Sequence, residues 1–136
     1  MKAIQAYLTF SGNCRDAMEF YAKALEGELN VVTYAEAPGA PPAEGGDRVM
    51  HARLTVGAAV LMASDMPPGR TVQTGENFNL SIACENAAEQ QRIFAALVDG
   101  GYAMMPLQDT FWGSHFGMLT DKFGVRWMLD LPLPVN

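Results

Sequence analysis

Two stretches of the chain carry apolar residues at the spacing of an amphipathic helix. The first stripe follows the i, i+3, i+4, i+7, i+8 pattern and consists of Ala17, Phe20, Tyr21, Ala24 and Leu25. Asn13 precedes it, with Asp16 three residues later, which predicts an N-cap close to a capping box. Gly27 predicts the end of this helix.

The same design recurs 73 residues later. Asn86 is the predicted cap and Glu89 stands three residues on. The apolar stripe runs through Ile93, Phe94, Leu97 and Val98, and Gly100 predicts its end. A shared cap, stripe and stop at one offset indicate an internal duplication.

Each predicted helix follows one short strand and precedes three. In the first half the strands are predicted at 7–10, 29–34, 49–56 and 59–64. In the second half one strand runs through Leu80, Ile82 and Cys84, and the others cover 102–107, 115–120 and 125–131. The order β-α-β-β-β therefore occurs twice and predicts an α+β fold, whereas a ferredoxin-like domain has two strands between its helices rather than four.

The loops suggest how the halves are joined. We expect a single domain over 1–136, with module 1 at about 1–66, a linker at about 67–76 and module 2 at about 77–136. The linker begins with Pro67-Pro68-Gly69. A run from 35 to 47, rich in Pro, Gly and Ala, predicts a long loop inside module 1.

Composition and charge narrow the partners and the compartment. With 136 residues, 49% of them hydrophobic, the chain can bury one core. A net charge of −6 argues against nucleic acid or an anionic membrane as a partner. No apolar run is long enough to span a bilayer, and the N-terminus lacks the apolar region of a signal peptide. We therefore expect a cytoplasmic protein with Cys14 and Cys84 reduced, a disulfide between them being the alternative.

Strand alternation predicts which side chains face the helices. Leu8, Phe10, Met50, Ala52, Leu54, Trp127 and Leu129 are assigned to the helix side. The opposite, concave side then receives Gln5, Tyr7, His51, Arg53, Asn79, Ser81, Met128 and Asp130. Burying such polar groups without partners costs about 1–3 kcal/mol each. A wet cavity that admits a ligand explains them, and a polar network satisfied within the protein is the alternative.

Candidate chemistry centres on His51. Histidine is a common acid–base group in enzymes, and His51 faces the concave side, so it is a candidate for acid–base catalysis. With Arg53 beside it, it could instead hold an anionic substrate, or simply be hydrogen-bonded within the sheet. Trp112, on a loop, is placed to stack on a planar ligand, whereas His115 is interpreted as a surface or core-edge histidine.

Two aspartates have a structural interpretation, and the common nucleophile and phosphate-binding motifs are missing from the sequence. Asp65 and Asp121 follow strands and are interpreted as turn formers. The sequence contains no GxSxG, Walker loop or GxGxxG.

Several segments together resemble the vicinal oxygen chelate superfamily of glyoxalase, bleomycin resistance and dioxygenase proteins, and most closely its PhnB-like branch. They are 7–14, Phe20-Tyr21, 49–52, Ser64-Asp65, 109–113, 116–118 and 121–128. The resemblance covers nearly the whole chain. It implies two βαβββ modules with paired curved mixed sheets that form a cup, usually in a homodimer whose chains can complete each cup.

The resemblance also implies where a divalent metal is held in the metalloenzymes. The four places fall on Gln5, Asn79, Leu61 (or Met62) and Met128. Because a hard cation needs several oxygen or imidazole donors, we expect no metal and no other cofactor. Relatives are often labelled demethylubiquinone methyltransferase-like, but no helix here starts with a glycine-rich turn for a nucleotide-type methyl donor.

Two hypotheses of function follow. The first is a protein that binds a small molecule in the cup without the usual metal. Its ligand-binding residues would be Gln5, Tyr7, His51, Arg53, Asn79, Trp112 and Met128. The alternative is a lyase, isomerase or dioxygenase that uses a non-standard metal site or one completed by a second chain.

Overall fold

The computed structural model describes residues 1–36 and 46–135. Most of the loop predicted over 35–47 lies outside these residues. The chain divides into two compact units, Met1–Gln73 and Thr74–Asn136. That they count as one domain with a separate linker stays a prediction.

The first unit is a four-stranded mixed sheet with one helix packed on it. Its elements are β1 (Ala6–Phe10), α1 (Cys14–Leu25), β2 (Glu28–Thr33), a 3-10 turn (Tyr34–Glu36), β3 (Val49–Val56) and β4 (Ala59–Asp65). The strand order is β1-β4-β3-β2, with β1 parallel to β4 and the other pairs antiparallel. The predicted stripe of α1 buries Ala17, Tyr21 and Ala24 against the sheet.

The second unit repeats this topology. Its elements are β5 (Leu80–Ala83), α2 (Ala87–Val98), β6 (Tyr102–Asp109), β7 (Ser114–Thr120) and β8 (Arg126–Pro132), in the order β5-β8-β7-β6. Gly117 of β7 lets α2 approach closely, since a Cβ there would lie 2.8 Å from the Phe94 ring and 2.9 Å from Leu107. The predicted α+β fold of two βαβββ modules is confirmed.

The two helices begin in different ways. At α2 the predicted cap is present, because Asn86 Oδ1 accepts from the Glu89 amide at 2.9 Å. At α1 Asn13 occupies the predicted N-cap position, but its side chain makes no capping hydrogen bond within the described part of the chain. Asp65 replaces it: Oδ1 accepts from the amides of Gly12 and Cys14 at 2.8 and 3.0 Å.

Asp65 is therefore more than a turn former. Its other oxygen, Oδ2, accepts from the Val49 amide at 2.9 Å, and the side chain is 3% exposed. Because β1 runs parallel to β4, with Phe10 opposite Asp65, the end of β4 lies beside the start of α1. A single carboxylate thus joins the β1–α1 turn to β3 and β4.

One predicted face assignment in β3 is wrong. Ala52 and Leu54 lie on the helix side, but Met50 is 36% exposed and Val49 is buried. The cause is a register shift between β2 and β3, in which Val32 pairs with His51 but Thr33 pairs with Val49. No helix in the described residues is long and apolar enough to cross a membrane.

Candidate functional site

The face of the first sheet that points away from α1, here called the first open face, carries the predicted polar side chains. The strand register sets Tyr7 opposite Met62, Met62 opposite Arg53 and Arg53 opposite Asn30. Tyr7, Arg53 and Asn30 are exposed, whereas their neighbours along each strand are more buried. The row therefore crosses all four strands on the side free of the helix.

Tyr7 and His51 contact each other on this face. Tyr7 Oη lies 3.1 Å from His51 Nδ1, and the two rings are 5.8 Å apart at an interplanar angle of 37°. His51 Nε2 has no hydrogen-bond partner among the described residues. When the Tyr7 hydroxyl donates to Nδ1, the neutral imidazole carries its proton on Nε2, which then donates to whatever meets it.

Arg53 carries the positive charge of the first open face. Its Nη1 lies 4.0 Å from Met62 Sδ. Among residues 1–36 and 46–135, no carboxylate forms an ion pair with its guanidinium. An exposed arginine that forms no ion pair retains its planar set of donors for an external anion.

The seven predicted ligand-binding residues are divided between the two units. Tyr7, His51 and Arg53 share the first open face. Gln5 belongs to the same unit but precedes β1, is exposed, and makes no described contact with those three. Asn79, Trp112 and Met128 belong to the second unit and are considered there.

In the second unit Asn79 and Met128 both lie at the β5–β8 pair, whereas Trp112 lies in a turn. Asn79 Oδ1 accepts from Arg126 Nε at 3.4 Å, and Met128 lies in β8 opposite Ser81. Trp112, in the turn between β6 and β7, is 53% exposed and packs edge-on against Phe116, with ring centroids 5.6 Å apart. The predicted loop position of Trp112 is confirmed, while the ligand contacts of all three stay predictions.

The places at which the resemblance implies a metal do not present a suitable donor set. Leu61 is 8% exposed and lies on the helix side, whereas Met62 and Met128 supply only thioether sulfur. The Asn79 oxygen already accepts from Arg126. Elsewhere in the described ranges, no group of three His, Cys, Asp or Glu side chains could hold an ion. The residues present do not fit a hard divalent cation.

The contact between the second histidine, His115, and Asp109 was not predicted from the sequence. His115 Nδ1 lies 2.7 Å from Asp109 Oδ1, and the two residues face each other across β6 and β7. The Asp109 side chain is 70% exposed and that of His115 is 26% exposed. The sequence signal was the Asp109–His115 spacing around a turn, which places hairpin partners opposite each other.

Neither cysteine is suited to nucleophilic chemistry. Burial, followed by the charge of Asp65, raises the pKa of the Cys14 thiol to about 12. Burial, followed by the charges of Glu89 and Asp130, raises the pKa of Cys84 to about 11. Both are free thiols, and they stay protonated near neutral pH.

The N-terminus of each helix is occupied by the chain's own side chains. Asp65 accepts from the amide of Cys14, the first residue of α1, and from that of Gly12 just before it. At α2, Asn86 accepts from Glu89, and Glu89 Oε1 accepts in turn from the Glu85 amide at 3.0 Å. Helix starts are common binding sites for the phosphates of nucleotides, and here a carboxylate of the chain itself, from Asp65 or Glu89, lies at each start.

Comparison with known proteins places this architecture in a family. Residues 2–129 match the model of the family described as 3-demethylubiquinone-9 3-methyltransferase. Protein YjdN of Escherichia coli K12 is 34% identical over 140 residues, covering 94% of either chain.

Two solved structures are similar to this chain along nearly its whole length. Protein PA1353 from Pseudomonas aeruginosa is 41% identical with a TM-score of 0.85, covering 97% of this chain and 100% of its own. A putative 3-demethylubiquinone-9 3-methyltransferase, the PhnB protein of Bacillus cereus, is 28% identical with a TM-score of 0.74, covering 96% and 99%.

A more distant structure shows the fold alone. The glyoxylase/bleomycin resistance protein/dioxygenase domain from Frankia is 13% identical, with a TM-score of 0.69 over 97% of this chain and 98% of its own. The repeated βαβββ topology and the family match over 2–129 agree with the resemblance found in the sequence. The chain therefore belongs to the PhnB-like family described as 3-demethylubiquinone-9 3-methyltransferase, and it shares its fold with the glyoxylase/bleomycin resistance protein/dioxygenase domain.

Proposed function

We propose that this protein binds a small anionic molecule on the first open face, through Arg53, His51 and Tyr7. The observation that carries the proposal is the position of Arg53, which lies in one cross-strand row with Tyr7 and forms no ion pair with a described carboxylate. In a chain of net charge −6, a lone exposed guanidinium among hydrogen-bonding side chains suits an anion.

The neighbours of Arg53 supply the rest of the recognition. Tyr7 Oη and His51 Nδ1 lie 3.1 Å apart, and when the hydroxyl donates to Nδ1 the neutral imidazole carries its proton on Nε2 and donates from there. The Tyr7 ring is 48% exposed and gives a flat apolar surface beside these donors. The preferred ligand is therefore a carboxylate or similar anion with a planar apolar part.

Several wider expectations belong to the same proposal. Gln5, Asn79, Trp112 and Met128 stay predicted ligand-binding residues of their own units, and we expect the protein to function without a hard divalent cation. A homodimer and a cytoplasmic location are further expectations from the sequence. Size-exclusion chromatography with light scattering tests the dimer separately from ligand binding.

Benzoate and benzamide provide a matched pair of probes, because they share a ring and differ in charge. A ligand at ten times its Kd stabilises the native state by about 1.4 kcal/mol. We expect benzoate to raise the Tm measurably and benzamide to leave it unchanged. The Arg53→Gln variant should lose the benzoate effect.

Arg70→Gln is the control, since Arg70 is also exposed and the substitution removes the same charge. It should respond to benzoate as the parent protein does. Equal stabilisation by benzoate and benzamide, equal losses in both variants, or no response to benzoate would each contradict the proposal.

The Tyr7–His51 hydrogen bond also favours a second candidate function. A fixed imidazole with Nε2 left for a bound molecule can transfer a proton, as lyases and isomerases require. Once an anion that binds is known, the His51→Ala variant can distinguish a binding protein from an enzyme. A variant that keeps its affinity but loses turnover indicates an enzyme, and one that changes only in affinity indicates a binding protein.

A further inference from the structure

The second sheet has its own face pointing away from α2, here called the second open face, and methionines line it. The register sets Met128 of β8 opposite Met118 of β7, and Met118 opposite Met105 of β6. Directly opposed residues of neighbouring strands point to the same side of a sheet. Three thioethers therefore stand side by side across three strands.

A bulge in β6 adds a fourth methionine. Ala103 pairs with Leu119 and Met105 with Met118, so Met104 is an extra residue opposite β7. Its sulfur accepts from Thr120 Oγ1 at 3.4 Å. Because Thr120 is two residues from Met118, this contact brings Met104 to the same face.

The spacing allows these sulfur atoms to converge. Neighbouring strands lie about 4.8 Å apart, so Met105 and Met128 flank Met118 at that distance on either side. A methionine side chain has three rotatable bonds and can lean towards a neighbour over this range. All three side chains are half-buried, so they are packed and yet reachable from solvent.

The chemistry of this row differs from that of the family's metal site. Thioethers are soft ligands that select Cu(I) and are poor donors for hard divalent ions. Along β8, Met128 lies between Arg126 and Asp130 on the same face, so the flanking charges cancel. A site without net negative charge suits a monovalent ion better than a divalent one.

We propose that Met118, Met128 and the methionines of the β6 bulge form a binding site for a soft monovalent cation, Cu(I). Packing alone also explains single methionines, because they fill irregular gaps. What packing does not require is a thioether at three consecutive positions of one cross-strand row. These methionines belong to the second unit, whereas Arg53, His51 and Tyr7 belong to the first.

Cysteines are the strongest competitors for a soft ion and must be separated in the test. Both thiols are buried and their pKa values are raised, to about 12 for Cys14 and about 11 for Cys84, so they resist deprotonation to the ligating form. A direct report from methionine is nevertheless needed. Methyl NMR of protein labelled at the methionine methyl carbon provides it.

The experiment titrates the anaerobic, reduced protein with Cu(I) against bicinchoninate while methyl spectra are recorded. We expect one equivalent of Cu(I) to shift the methyl signals of the row and to leave Met50 unmoved. Met118→Leu should weaken Cu(I) binding at least tenfold, and Met50→Leu should not weaken it. Met50 is a fair control because it is 36% exposed in the other unit.

Met128→Leu provides a second variant if Met118→Leu fails to fold, which circular dichroism would reveal. The proposal is overturned if row methyl signals stay fixed while Cu(I) binds, since the cysteines would then be the ligands. It is also overturned if folded Met118→Leu or Met128→Leu binds as tightly as Met50→Leu, or if the parent protein fails to compete with bicinchoninate.

Discussion

Replacing Asp65 with alanine should destabilise the first unit more than any change at the predicted cap of α1. The carboxylate accepts three backbone hydrogen bonds, from Gly12, Cys14 and Val49. The hydrogen bonds to Cys14 and Val49 are buried, and that to Gly12 is partly buried. Alanine removes both acceptor oxygens and leaves these amides without partners.

The size of the effect follows from the number of buried amides. A buried donor left without an acceptor costs about 1–3 kcal/mol, so the amides of Cys14 and Val49 together cost about 2–6 kcal/mol. That is a large share of the 5–15 kcal/mol typical of a folded domain. Asp65→Asn keeps one oxygen for Gly12 and Cys14 but turns an amide donor towards Val49, so we expect about 1–3 kcal/mol.

Urea unfolding followed by circular dichroism measures the free energy of unfolding, and amide hydrogen exchange locates the change. Exchange should accelerate at Cys14 and Val49 in Asp65→Ala. The controls are Asn13→Ala and Asp16→Ala, which remove the cap that the local sequence suggests and should cost less than about 1 kcal/mol. A larger loss in Asn13→Ala than in Asp65→Ala would refute this account.

Three further predictions concern other parts of the chain. Folding raises the pKa of the Cys14 thiol from 9.0 to about 12 and that of Cys84 from 9.0 to about 11. As the pH rises, the unfolded state therefore loses its thiol protons before the folded state does. The free energy of unfolding should then fall as the pH rises above about 9. The decline measured by urea unfolding should be shallower in Cys84→Ser, and an identical slope would contradict the assigned pKa. Gly117→Ala should lower the free energy of unfolding by about 1–3 kcal/mol, because the new Cβ meets the Phe94 ring and Leu107; an unchanged urea midpoint would argue against this close approach. S-adenosylmethionine should leave the Tm unchanged, since the carboxylates of Asp65 and Glu89 lie at the two helix starts, and a saturable rise would show that a methyl donor binds.

Features set by neighbouring residues could be predicted from the sequence. Both helices, the eight strands and most face assignments follow from apolar periodicity, which is a local signal. The cap of α2 was predicted for the same reason, since Asn86 and Glu89 are three residues apart. The exposed position of Met50 could not be predicted, because it depends on a register shift between two strands.

Features that depend on which strands pair, and in which register, could not be predicted from the sequence. Asp65 is 51 residues from Cys14, and its role follows only once β1 is known to run beside β4. Alternation placed Tyr7, His51 and Arg53 on one face, but only the register showed that Met62 separates Tyr7 from Arg53 in one row. The methionine row of the second open face became visible in the same way.

The central claim is that Arg53, His51 and Tyr7 hold an anion on the first open face. NMR titration of isotope-labelled protein with benzoate tests it most directly, because the side-chain signals of Arg53 Nε and His51 Nε2 report on these groups themselves. Both signals should shift and saturate together with benzoate, and neither should respond to benzamide. Saturable benzoate shifts confined to other residues, or none at all, would contradict it.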